Sequence, residues 1–212
     1  MTDERKGGLA FILSTAVLLI VMAIHPTGYE LSGAGERFRT MALVNALAHT
    51  LAILALPLSF LGALALTRML AGPDRFSVAA LVLYGFALAA GMCAATASGF
   101  VTPEVLRRLA RAASPADEAW RALFRFTWTV NQACARILVI GSAGAIILWS
   151  AALRGRPALR WYGFLSSAAI IALVASGMLR LDIHGFGAVV LLQAVWFVIV
   201  GRMMMTAGRA VA

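Results

Sequence analysis

Asn45 and His49 stand four residues apart in one apolar run, and Trp128, Gln132 and Arg136 keep the same interval in another. On a helix that interval puts each set on one face. An ionisable side chain costs about 2.5–3.5 kcal/mol at the centre of a membrane span, so such groups turn toward a partner, a cavity or water. The spacing therefore points to a shared polar pocket. In it Arg136 would clamp an anionic group, Trp128 would form a wall, and Asp182 and His184 would stand at the mouth. His25 closes the first apolar run at the same level. The basic stretch from Arg107 to Arg125 would draw an anion toward the opening. The ligand this set implies is a small anionic or amphiphilic molecule. Each residue also has a plainer use: Arg136 snorkelling to the interface, His49 bonded to Asn45 or a backbone carbonyl, Asp182 neutralising Arg180.

Other chemistries find less support. No Gly-x-Ser-x-Gly turn is present, and Ser59, Ser142, Ser166, Ser167 and Ser176 have no base close in sequence. A zinc site would need His25, His49, Asp182 and His184 to converge from separate segments. A bis-histidine haem would pair His49 with His25 or His184 on the same terms. No repeated filter motif of an ion channel occurs. Cys93 and Cys134 lie in apolar segments without CxxC spacing and read as reduced packing residues. None of these signals specifies a cofactor.

The elements that position these residues follow from composition. Of 212 residues, 62% are hydrophobic and 13% charged, and the mean hydropathy is +0.90. A soluble domain is roughly half apolar and a quarter charged, so a soluble fold is excluded. The net charge of +9 comes from arginines placed between apolar runs rather than on one basic face. Anionic lipid and loop placement account for them, and nucleic acid does not. The expected fold class is all-α: a polytopic membrane protein, a bundle of six transmembrane helices with a short amphipathic outer helix, in one domain over 1–212.

The spans are expected at about 8–24, 41–70, 77–99, 126–153, 162–179 and 185–205, each able to cross a core of about 30 Å. Cleavage of the first as a signal peptide is not expected, because its apolar run is long enough to span. His25-Pro26 ends the first span, and Pro57 is expected to kink the second near Ile53. Ala87, Gly91, Ala95 and Gly99 form a stripe of small side chains that would place the third span centrally in the bundle. Thr102-Pro103 reads as a cap and first residue of an interfacial helix over 103–113, and Ser114-Pro115 opens the helix leading into the fourth span. Trp149, Trp161 and Tyr162 flank the basic turn Arg154 to Arg160, as expected at an interface. Gln193 falls on the face opposite His184, with Trp196 one turn on, and reads as a separate packing contact. Val44-Asn45 and Val130-Asn131 open a faint echo between two hairpins, as duplication would leave.

With the N-terminus inside, the cytoplasmic segments hold nine Lys or Arg and the outer segments eight, but five of those eight fall between Arg107 and Arg125. The remaining short outer loops carry three, which sets both termini in the cytoplasm of a bacterial-type plasma membrane. Polar residues then crowd the outer half of the spans. A carrier would need them to continue inward, so binding or catalysis is favoured over transport. The leading expectation is a carrier, receptor or ligand-binding subunit with an outward-facing pocket. The alternatives are a membrane enzyme on a lipid-like substrate, with His49 as proton acceptor and Arg136 as anion clamp, and a scaffold or accessory subunit among partner membrane subunits.

Overall fold

Each apolar run is continuous enough to satisfy its backbone internally, which hydrocarbon demands, and each folds as one helix. The computed structural model describes residues 2–26, 36–70, 75–110 and 115–207, the side chains of 115–117 excepted. The helices are α1 (Asp3–Ile24), α2 (Glu36–Leu70), α3 (Phe76–Thr96), α4 (Thr102–Leu109), α5 (Pro115–Ala152), α6 (Pro157–Ala175) and α7 (Ile183–Ala207). A π-helical turn, Ala97–Val101, joins α3 to α4. Among the described residues, six helical segments are long and apolar enough to cross a membrane, so the chain is an all-helical, multi-pass integral membrane protein. α2 runs through Pro57 without a break in its helical course.

Neighbours around the bundle run α1, α2, α3, α5, α6, α7 and back to α1. The helices thus form a closed ring, and α3 is one member of it rather than its centre. The small-residue stripe serves two partners instead. Ala87 and Gly91 admit α5, with Gly141 against Ala87 and Leu138 against Gly91, whereas Gly99 admits His49 of α2. At the seam between first and last helices, Gly8 and Gly201 bring the α1 and α7 backbones together. Aromatic rings fill much of the interior: Phe11, Phe197, Tyr84, Trp149 and Trp196 follow one another at centroid spacings of 5.1, 5.8, 5.3 and 6.1 Å.

The expected start of a new helix at Thr102 is corrected. α4 continues α3 through the π turn, and the Thr102 hydroxyl reaches back to Ala97 O at 2.9 Å instead of capping forward. The cause is Pro103. Its ring would clash with the carbonyl four residues earlier, at Gly99, and it has no N–H to offer. The wide turn relieves the clash, with the Thr102 N–H bonding Ala97 O. The next π-register donor, to Ser98 O, would be Pro103 itself. Two carbonyls of the π turn, at Ser98 and Gly99, take a donor from outside the helix. The remainder of the expected interfacial helix, including Arg111, lies outside the described residues.

Candidate functional sites: a histidine pair and a central cavity

The donor those carbonyls find is Asn45. Its Nδ2 donates to Ser98 O at 2.9 Å and approaches Gly99 O at 3.5 Å. This fixes the amide orientation, and it leaves Asn45 Oδ1, fully buried, as an acceptor without a donor. One turn on, the His49 Nδ1–H donates to Asn45 O at 2.8 Å. His49 is buried, and a Cβ at Gly99 would overlap its ring at Cγ. Only glycine lets the π turn pack here.

His25 meets His49 from the end of α1. Their Nε2 atoms are 3.3 Å apart and their rings lie edge to face, with centroids 4.8 Å apart. The His25 Nδ1–H donates to Pro26 O at 2.9 Å. Burial holds the His25 pKa below the ordinary 6.5, partly offset by that bond. The rings are too close for a haem plane between them. Among the described residues, no three of His, Cys, Asp and Glu gather as a metal-binding group.

The other sequence-predicted residues belong to the same end of the bundle and to different contacts. Gln132 Nε2 donates to Leu181 O at 3.3 Å, which sets it level with the start of α7. Asp182 caps α7, its Oδ1 accepting from the His184 and Gly185 N–H groups at 3.1 and 2.9 Å. His184, Trp128 and Arg136 are exposed on the outside of their helices. Beyond this level, α4 and the start of α5 carry the basic stretch. There Glu104 pairs with Arg107 and Arg108, and the Arg108 guanidinium lies 5.4 Å from the Trp120 ring centre.

A second polar locus, which the sequence reading passed over, lies inside the ring. A cavity of about 80 Å³ is bounded by α1, α2, α3, α5 and α7. Its lining is mostly apolar, Leu56, Leu88, Phe186 and Phe197 among it, with Thr15, Ser59, Tyr84, Ser142 and Gln193 interspersed. Ser59 and Tyr84 share a 2.6 Å hydrogen bond. Across the gap between α5 and α7, Gln193 Nε2 donates to Ser142 Oγ at 2.9 Å. The signal for Gln193 was present in its position opposite His184. What the sequence did not disclose was that Ser142, fifty-one positions away, faces it.

Comparison with protein-family models, with curated proteins and with solved structures finds no match.

Proposed function

We propose that this chain is a membrane-embedded binding protein whose ring of helices takes a small, uncharged, hydrogen-bonding molecule, or the end of an amphiphile, into the central cavity. The observation that carries this reading is the cavity itself: five polar side chains from five helices face one space in an otherwise apolar interior. About 80 Å³ holds a few non-hydrogen atoms, given that a void of about 150 Å³ accepts benzene. Among the described residues its lining carries no charged side chain, so it suits the amphiphilic rather than the anionic ligand expected from sequence. Binding is favoured over turnover because the lining donors and acceptors are neutral and four of them are paired, Ser59 with Tyr84 and Ser142 with Gln193. In this reading both termini are cytoplasmic. Asn45, His49, Gln132, Asp182 and His184 stand at the outer level, above the cavity, while Trp128 and Arg136 face lipid or a partner subunit.

Organic extraction of the detergent-purified protein, followed by mass spectrometry, tests the reading. One small molecule is expected in stoichiometric amount from the wild type and absent from a Ser142→Ala, Gln193→Leu variant. An empty extract, together with a higher melting temperature for that variant, would instead assign the cavity to imperfect packing between α5 and α7.

A further inference from the structure

We propose that His25 and His49 are the two protein nitrogens of a binding site for one imidazole-seeking transition-metal cation, copper or zinc. The reasoning starts from tautomers. A carbonyl oxygen only accepts hydrogen bonds, and each Nδ1 faces one, Pro26 O at 2.9 Å and Asn45 O at 2.8 Å. Both ring hydrogens therefore sit on Nδ1. In the neutral rings each Nε2 presents a lone pair, and these two nitrogens are 3.3 Å apart.

Two lone pairs held at that distance call for something positive between them. A shared proton would leave an imidazolium at a site where His49 is buried and where, among the described residues, no carboxylate forms an ion pair with either ring. Burial disfavours that charged form. A metal cation meets the same demand with two neutral ligands. Bonds of about 2.05 Å at a tetrahedral angle put two ligand nitrogens about 3.3 Å apart, which matches the observed separation. The rings also have the outer contacts of metal-binding histidines, whose second N–H is almost always given to a carbonyl, carboxylate or water.

One turn before His49, α2 carries a further buried acceptor. Asn45 Oδ1 is buried without a donor, on the α2 face that carries His49, and its identity as oxygen is fixed because Nδ2 serves the π-turn carbonyl. The group is also held in advance of any ion. Gly99 presses on the His49 ring, and the π turn that places Gly99 is imposed by Pro103. π turns of this kind recur at functional sites.

The test uses the full-length protein in detergent, purified without a polyhistidine tag and stripped with chelator. It is titrated with Cu⁺ and, separately, with Zn²⁺ against chromophoric competitors. One equivalent of one of these ions is expected to bind and to raise the melting temperature. Affinity should fall more than about tenfold in His25→Gln and in His49→Gln and stay unchanged in His184→Ala, which removes the third histidine. Should His49→Gln fail to fold, His25→Gln, at a helix end, carries the comparison, and X-ray absorption of the loaded wild type should show imidazole nitrogens rather than the sulfur of Cys93 or Cys134. Sulfur ligation, loss of binding in His184→Ala, or wild-type affinity for both ions no better than that of the His25→Gln, His49→Gln double variant would overturn the proposal and leave the pair bridged by a proton.

Discussion

Asn45 shows how one side chain ties three parts of the molecule together. Its Nδ2 takes up a carbonyl that Pro103 cannot serve, its backbone carbonyl orients His49, and its Oδ1 is buried without a donor. The donor is what the structure requires at Ser98 O, so charge and shape make different predictions. Asn45→Ala should lose the bond, worth about 1 kcal/mol in membrane bundles, and up to about 3 kcal/mol if Ser98 O finds no other donor. Asn45→Asp, close to asparagine in shape, should melt lower still, because it turns acceptors toward the carbonyl. Thermal unfolding in detergent reads both, and an Asp variant more stable than Ala would show that Nδ2 is not the essential group. Much at this scale was legible in the sequence: the four-residue spacing of Asn45 and His49 does put them on one face. The partner of His49 was not, because only tertiary packing could bring His25, twenty-four positions away, to its Nε2. Asp182 carried a readable signal, an acidic residue just before an apolar run, yet its role as the cap of α7 is masked in sequence by the arginine two residues earlier.

Among the elements, the π turn decides most. Thr102-Pro103 has the composition of a helix start, and a sequence alone cannot separate that from a proline inside a continuing helix whose lost bond is made good elsewhere. Here α2 makes it good. Pro103→Ala would restore the missing N–H, remove the clash at Gly99 and let α3 and α4 run on in regular α geometry. The carbonyls that Asn45 now serves would be satisfied within the helix, and the backbone would withdraw from His49. Helix propensity alone favours alanine by about 3 kcal/mol, so the variant is expected to fold. Its expected defect is local: faster hydrogen exchange of the α2 amides around Asn45 and, if the histidine pair holds a metal, weaker binding. Exchange that stays unchanged in α2 would separate the bulge from the site. The stripe from Ala87 to Gly99 illustrates the same limit. Its small residues do mark close approach, as read from sequence, but the π turn divides the stripe between α5 and α2, and helical periodicity presumes a turn that never widens.

For the whole molecule, six spans were readable because hydrocarbon leaves a chain few choices: backbone polar groups must be satisfied within the protein, nearly all of them within their own helix. The closure of those spans into a ring was not readable, since it depends on which small faces meet. The polar residues that line the ring's interior are few and isolated in sequence, so no local pattern gathers Thr15, Ser59, Tyr84, Ser142 and Gln193 into one cavity. The ring closes where the first helix meets the last. A Cβ at Gly201 would stand 2.8 Å from Gly8 O and 2.9 Å from the Ile12 side chain, so the α1 and α7 backbones approach only because neither has a side chain there. Gly201→Leu must force them apart, at the cost of about 1–3 kcal/mol typical of an overfilled core, or more because backbone rather than a flexible side chain obstructs it. The consequence should travel beyond the seam. α7 carries Gln193 and Phe197 into the cavity while α1 carries His25 to His49, so parting these helices is expected to lower the melting temperature, to loosen any molecule held in the cavity and to disturb the histidine pair. Gly187→Leu is the control on the same helix, where the nearest atom to an added Cβ is the flexible end of Met22 at 3.5 Å. If the two variants melt alike, α7 tolerates bulk along its whole length, and the ring is not held shut at Gly8 and Gly201.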